Sequence, residues 1–148
     1  MALDPSYVGR THTPPEPYQV SREKIREFAD AIGADDEAYR DPAAAAALGH
    51  PDVIAPPTFP VLLTMAASRA LAADPGLGLD MTRVVHGDQR FEYTRPVRAG
   101  DRLVGVTTVE KITARVGNEF LTTRTDIVTD AGEPVVSVWS RLVMIGAG

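Results

Sequence analysis

The chain has 148 residues, no cysteine and a formal net charge of −5 at pH 7. Its length suits one domain spanning residues 1–148, and 44% hydrophobic with 24% charged residues is typical of a globular protein. The lack of cysteine excludes disulfides, thiol catalysis and cysteine-ligated metals, and the acidic balance argues against a general nucleic-acid binder.

The first twenty residues are polar and rich in proline, and no helix is expected there because Pro14, Pro15 and Pro17 are incompatible with one. Residues 18–20 could form a short strand. The N-terminus also lacks an apolar signal core, and the longest apolar stretch of the chain is broken by Arg69 before it reaches the ~18 residues of a membrane span. We therefore expect a cytoplasmic protein that does not enter a membrane.

Two helices are predicted next. Ser21 is suited to cap the first, over about residues 22–32, in which apolar side chains recur on one face. Asp41 is suited to cap the second, an alanine-rich helix over residues 42–48 with Pro42 in its first position.

A third helix is predicted over about residues 58–73, with Thr58 as its N-cap and Pro60 in its first turn. Apolar side chains cover nearly its whole circumference, and a helix that is apolar all round is usually buried. Residues 61–71 are therefore predicted to form a buried central helix.

After residue 80 the hydrophobic pattern changes from helical to alternating. Gly, Asn and Asp in the breaks between the alternating segments are residues of tight turns. The pattern predicts four long antiparallel strands, over residues 83–97, 102–116, 119–129 and 134–145. Helices followed by a strand meander indicate an α+β fold in which a curved antiparallel sheet wraps around the central helix. Exposed sheet edges would then favour pairing with another subunit.

Several segments carry a family resemblance and occur in the family's order along the chain. They are residues 21–29 (SREKIREFA), 48–49 (LG), 55–59 (APPTF), 88–91 (DQRF) and 96–101 (PVRAGD). With them the chain resembles the MaoC-like (R)-3-hydroxyacyl dehydratases and hydratases, and among these the actinobacterial UPF0336 group, which includes the HadA-type and HadC-type subunits of the mycolic-acid dehydratase. The resemblance implies a hotdog fold and reversible removal of water from an acyl thioester of acyl-carrier protein or coenzyme A.

Active members of that family carry an Asp and a His in the pattern Gly-Asp-x-Asn-Pro-x-His after the first helix. With Gly33 at the motif glycine, the two positions are Ala34 and Tyr39. Moving Asp35 or Asp36 to the Asp position still supplies no histidine. Since alanine cannot transfer a proton, the resemblance implies a non-catalytic subunit. Such a subunit shapes the acyl channel and pairs with a second hotdog chain that bears the motif, or with itself.

The strand that begins near residue 83 holds further candidate substrate-binding residues. His86 and Asp88 form a His/Asp pair at i, i+2 spacing, which places both side chains on one face of a regular strand. With Gly87 and Gln89 they could line the acyl or pantetheine channel. In the structural alternative, which we weigh more heavily, His86 is a half-buried strand residue and Gly87 a bulge. Asp88 and Gln89 would then bond across a dimer or cap the central helix.

The entry to the third helix is another candidate binding site. Pro57, Thr58 and Phe59 precede a helix whose free N–H groups could hold a thioester oxygen, although the segment could equally be a capped helix start. His12 is expected to be solvated and His50 to lie at the surface. No histidine–carboxylate cluster has the spacing of metal ligands, so neither a metal nor a cofactor is predicted.

Two other functions stay open from sequence. One is a non-enzymatic module for acyl-thioester binding or assembly. The other is a homodimeric hotdog thioesterase, in which an acidic residue such as Asp36 or Asp88 activates water.

Overall fold

An antiparallel sheet dominates the computed structural model, which describes residues 2–146. The helices are α1 (Arg22–Ala31), α2 (Pro42–Ala47) and α3 (Val61–Ala72), and short 3-10 helices lie at Pro5–Tyr7, Glu37–Tyr39 and Met81–Arg83. The strands are β1 (Thr11–His12), β2 (Tyr18–Gln19), β3 (Val84–Tyr93), β4 (Arg102–Arg115), β5 (Asn118–Thr129) and β6 (Pro134–Met144). The strand order is β1-β4-β5-β6-β3, with β2 also paired to β4. The predicted α+β order of helices followed by a meander is confirmed.

Local sequence explains most of these boundaries. The side chain of Ser21 accepts a hydrogen bond from the N–H of Lys24, and that of Asp41 accepts one from Ala43, so both predicted N-caps are confirmed. The β4–β5 turn places Val116 and Gly117 at φ values of 51° and 77°. Two successive positive φ angles are typical of the tight turn that matches strand twist.

The N-terminal twenty residues are more ordered than their composition predicts. A 3-10 helix forms at Pro5–Tyr7, ahead of the three prolines, and β1 and β2 attach the segment to β4. Leu3 and Tyr7 are buried in a core cluster that also contains Leu121. This segment is therefore part of the packed structure.

The main core packs α1 and the loop before α3 against strands β4, β5 and β6. Phe59 is fully buried there, with its ring edge-on to Phe28 at 5.4 Å and to Tyr18 at 6.3 Å between centroids. Its neighbours include Ile25 and Leu103, both almost completely buried. Edge-to-face ring pairs of this kind add to the burial energy of the aromatic side chains.

The expectation of a fully buried third helix is wrong for the chain by itself. Thr64 and Ala67 face the sheet and are buried, whereas Met65 is 45% exposed and Ala66 and Arg69 are also exposed. The sheet of one chain covers only one side of α3, so an apolar strip stays uncovered. Among residues 2–146 no helix combines the length and apolarity needed to cross a membrane.

Candidate functional site

The segment that the resemblance aligns with the Asp/His motif is a capped turn between α1 and α2. Ala34 follows the end of α1, and its N–H donates to the carbonyl of Ala29 at 2.8 Å. Asp36 caps the next 3-10 helix by accepting a hydrogen bond from the N–H of Ala38 at 2.9 Å. Tyr39 is the last residue of that 3-10 helix and is half-buried.

Tyr39 faces a cavity of about 290 Å³, which we call the Tyr39 cleft. Its lining consists of Tyr39, Ile54, Ala55, Pro57, Tyr93, Thr94, Arg95 and Pro96. The hydroxyl of Tyr93 donates to the carbonyl of Pro57 at 2.6 Å. Burial, and to a lesser degree the neighbouring Tyr39, raises the pKa of Tyr93. Tyr93 is therefore a protonated donor near neutral pH.

The guanidinium group of Arg95, which lines this cleft, is already hydrogen-bonded to two carboxylates. Arg95 donates to both carboxylate oxygens of Asp101 at 2.9 Å and to Glu133 at 2.7 Å. Its hydrogen bonds to Asp101 raise the pKa of Arg95, and the hydrogen bond from Arg95 lowers the pKa of Glu133. Asp101 also accepts a bond from the backbone N–H of Arg98. Among the described residues, the lining of the Tyr39 cleft includes no histidine and no carboxylate.

The prediction that His86 and Asp88 share one face of β3 is wrong. The register shifts between them, so that His86 lies opposite Leu142 and Asp88 opposite Arg141. In a regular strand the side chains of residues i and i+2 lie on the same face. The extra residue at Gly87 places His86 and Asp88 on opposite faces instead. Asp88 forms an ion pair with Arg141, whereas His86 faces α3 and is exposed, so the expectation of a half-buried His86 is wrong.

His86 lines a cavity of about 170 Å³ between α3 and β3, which we call the β3 cavity. Gln89 shares this cavity, and its side-chain amide donates to the hydroxyl of Thr64 at 3.3 Å and of Ser140 at 3.2 Å. Gln89 thereby connects β3 to α3 and β6. Arg69 reaches the same cavity from the exposed side of α3.

The helix entry differs from its prediction. The helix begins at Val61 with Pro60 as N-cap and without a side-chain cap, so Thr58 is not the cap. The N–H groups of residues 61–63 donate to the carbonyls of residues 58–60 at 3.0–3.1 Å and are not free for a thioester oxygen. Phe59 is a core residue with no exposed surface, whereas Pro57 lines the Tyr39 cleft.

The largest of the cavities described here was not anticipated. It has a volume of about 530 Å³ and lies between α3, β4 and residues 12–18, and we call it the arch cavity. His12 is half-buried in β1 and lines it, so the expectation of a solvated His12 is wrong. A glycine inside the alternating pattern of β4, Gly105, was the available sequence signal, because such glycines often mark a close approach.

Comparison with known proteins relates this geometry to a family. A family model described as "FAS1-like, dehydratase domain region" matches residues 6–138. A UPF0336 protein of Streptomyces coelicolor is 57% identical over 97% of this chain and 95% of its own length. A UPF0336 protein of Saccharopolyspora erythraea is 56% identical over 99% of this chain and 94% of its own length.

Two solved structures are similar over nearly the whole chain. A chain of the HadBC (3R-hydroxyacyl-ACP dehydratase) complex from Mycobacterium tuberculosis superposes with a TM-score of 0.84 at 31% identity, covering 97% of this chain and 99% of that one. A MaoC-like dehydratase gives a TM-score of 0.89 at 33% identity, covering 96% of this chain and 43% of its own. The hotdog fold implied by the resemblance is confirmed. The chain belongs to the UPF0336 group of the MaoC-like and FAS1-like dehydratase family.

Proposed function

We propose that this chain is the non-catalytic subunit of a heteromeric (R)-3-hydroxyacyl-thioester dehydratase. The observation that carries the proposal is the lining of the Tyr39 cleft, where Tyr39 and Tyr93 stand among apolar residues and an engaged arginine. Dehydration needs a base for the α-proton and an acid for the departing hydroxyl. A tyrosine whose pKa is raised cannot be the base near neutral pH, and Ala34 carries no titratable group.

The uncovered edge of the sheet supports a second chain as partner. β3 ends the strand order, is 10 residues long, and carries Val85 at 51% and Tyr93 at 38% exposure. Long exposed edges are pairing sites that monomeric proteins normally cover. The exposed apolar strip of α3 lies beside it. Burial of both surfaces by one partner would remove two unfavourable exposures together.

The partner that fits is a second hotdog chain that carries the Asp/His motif. The HadBC structure is a complex of related dehydratase chains, which supports this assignment by similarity. In the proposed complex the partner transfers the protons, and this chain supplies walls for the acyl group of an acyl-carrier-protein or coenzyme A thioester. Wall residues raise the rate by fixing the acyl group relative to the proton-transfer groups.

The two alternatives receive less support. Asp36 and Asp88 were the acidic residues considered for a thioesterase, but the first caps a turn and the second is ion-paired on the outer face of the sheet. A binding or assembly module that works as a homodimer would use the same β3 edge. It differs from our proposal only in the chain that pairs with that edge, which would be a second copy of this chain.

The test measures hydration of crotonyl-coenzyme A by this chain alone, by a motif-bearing hotdog partner alone, and by the two together. We expect no measurable rate from this chain, and a rate from the mixture at least ~10²-fold above that of a mixture whose partner lacks its histidine, since acid–base groups contribute about 10²–10⁴-fold. A partner with its histidine replaced by alanine is the matched control and should restore nothing. Rapid hydration by this chain without any partner would overturn the proposal.

A further inference from the structure

A row of polar side chains crosses the inner face of the sheet beneath α3. The strand register orders its members from the β4 edge to the β3 edge: His12, Thr107, Thr125, Thr123, Ser140 and Gln89. Thr123 and Thr125 are two residues apart on β5, so both side chains lie on the same face. We call this set the polar row.

The polar row divides the hydrophobic core into two parts. On every long strand it lies between a residue of the cluster around Phe59 and a residue of the cluster around Leu3. The flanking residues are Leu103 and Val109 on β4, Ile127 and Leu121 on β5, Val138 and Met144 on β6, and Phe91 and Val84 on β3. The inner face of an antiparallel sheet normally carries apolar side chains, so a polar interruption across all of these strands requires a physical reason.

The hydroxyl groups of the row are deeply buried. Thr107 and Thr125 are each 2% exposed, Ser140 is 5% exposed and Thr123 is 6% exposed. A buried hydroxyl without a hydrogen-bond partner costs about 1–3 kcal/mol. Each hydroxyl of the row therefore needs a partner, either in the protein or in water.

Hydrogen bonds join the residues at each end of the row but not those in its middle. The hydroxyl oxygens of Thr107 and Thr125 are 2.7 Å apart, and the side-chain amide of Gln89 donates to Ser140 at 3.2 Å. Thr123 lies between these two pairs and is bonded to neither Thr125 nor Ser140. The middle of the row therefore has hydrogen-bonding capacity that the protein does not use.

One water molecule fits this middle position. Residues two apart on a strand are separated by about 6.6 Å, twice the rise of about 3.3 Å per residue. Two hydroxyls bridged by one water are about 5.6 Å apart, twice an O–H···O distance of about 2.8 Å. A water between Thr123 and Thr125 also has Ser140 within reach across the strands, which gives it the roughly three partners typical of a buried water.

We propose that the polar row holds a line of ordered water, through which water enters and leaves the space beneath α3 during the reaction. This inference rests on the proposed function, because each dehydration releases one water and each hydration consumes one. The acyl group obstructs the apolar channel while it reacts, so water needs a polar path beside it. The row supplies such a path, from His12 at the β4 edge to Gln89 in the β3 cavity.

The first experiment detects this water in the isolated full chain by nuclear Overhauser effects between water and methyl protons. We expect cross-peaks from water to the methyl groups of Thr123 and Thr125, and none to Val53, which is fully buried in the Phe59 cluster. In the double variant Thr107→Val/Thr125→Val the cross-peak to Thr123 should be lost. Replacing both partners leaves no unpaired hydroxyl in this pair, so the double variant should keep the stability of the wild type.

The second experiment measures hydration of trans-2-dodecenoyl-coenzyme A by the complex with the motif-bearing partner. The double variant should lower kcat about two- to tenfold, the worth of about one hydrogen bond, with KM unchanged. Thr108→Val/Thr122→Val is the matched control and should equal the wild type, because these hydroxyls lie on the outer face of the same two strands. If thermal melting shows that the double variant does not fold, Thr123→Val takes its place, and Thr123→Ser, which keeps the hydroxyl, should restore the rate.

The inference would be overturned by the absence of water cross-peaks at Thr123 and Thr125 in the wild type, or by an equal kcat for the double variant and the control. These outcomes are separable from a failure of the proposed function. An active complex whose kcat is unchanged by the double variant contradicts the inference alone. A chain that shows the water cross-peaks but activates no partner contradicts the proposed function alone.

Discussion

The two edges of the sheet differ in how far other segments of the chain cover them. The β4 edge is covered by β1, β2 and the proline arch of residues 13–17 as far as Val109, so another strand cannot pair along residues 102–109. The β3 edge is one strand of 10 residues with a bulge at Gly87, mostly exposed side chains and no covering segment among residues 2–146. A chain with one largely covered edge and one open edge is suited to join a single partner sheet through the open edge. Such an arrangement favours a closed pair over a filament.

The packing of apolar side chains also differs between the closed side and the open side of the sheet. On the closed side the core around Phe59 is formed within the chain, from α1, the loop before α3 and the sheet. On the open side α3 exposes Met65, which lines the β3 cavity next to an uncovered strand. Substitutions on the closed side should therefore reduce folding stability, and substitutions on the open side should reduce assembly.

The largest effect is expected from Phe59→Ala. Phe59 is fully buried among aromatic and aliphatic side chains, and removing such a ring typically costs about 3–5 kcal/mol of unfolding free energy. Met65→Ala should cost under about 1 kcal/mol in the isolated chain because Met65 is 45% exposed. Urea unfolding of the two variants measures both values. Equal losses would show that α3 is buried within one chain and would remove the distinction between the two sides.

A smaller effect, confined to assembly, is expected from Val85→Lys on the open edge. A lysine on an edge strand opposes strand pairing, so association with the partner should weaken about tenfold or more while unfolding free energy stays within about 0.5 kcal/mol. Val116→Lys is the matched control, because Val116 is 89% exposed in the β4–β5 turn. Sedimentation across a concentration series would measure the association. If the control weakened association equally, β3 would not be the interface.

The sequence predicted the closed side better than the open side. Ser21 and Asp41 gave the helix starts because capping is a local hydrogen bond, and the alternation of β4–β6 gave the strands because each residue's face depends on its neighbours alone. The family pattern also located Ala34 and Tyr39, and the cleft that Tyr39 lines is consistent with the absence of the Asp/His pair.

Predictions that needed distant contacts were less successful. One bulge at Gly87 moved Asp88 to the outer face, and the sequence offered a bulge without showing its effect on facing. The buried-helix prediction for α3 assumed a complete cover, which one chain does not provide. The arch cavity depends on how far residues 13–17 stand from β4, a distance that no sequence period encodes.

His86→Ala tests how much a single imidazole on the open side contributes to partner association or to acyl-thioester binding. His86 faces the β3 cavity, so its loss should weaken partner association or acyl-thioester binding about two- to tenfold, the worth of about one hydrogen bond. Asp88→Ala is the control, because the Asp88–Arg141 ion pair is exposed and contributes little. Melting temperature, association and binding are measured on each variant. A fall in melting temperature alone would make His86 a structural residue of β3.

The smallest expected effect is a change in the unfolding free energy with pH, and it concerns the closed side of the sheet. The pKa of Asp52 is lowered chiefly by its hydrogen bond from Arg22, at 2.9 Å, and the N–H of Val53 also donates to it. A carboxyl group with a lower pKa in the folded than in the unfolded state stabilises the protein above its unfolded value of about 3.9, and this stabilisation is lost as the pH falls through the folded value.

Asp52→Asn should therefore lower the unfolding free energy at pH 7 by under about 1 kcal/mol, since Arg22 is largely exposed and solvent screens the pair. The difference between the variant and the wild type should shrink as the pH falls through the folded pKa of Asp52, because the carboxyl group then carries no charge in either state. Urea unfolding at pH 7, 4 and 2 follows the difference, with Asp35→Asn as the control for loss of an exposed carboxylate. A difference that persisted at pH 2 would assign the role of Asp52 to packing against Val53 and the loop before α3 rather than to its charge.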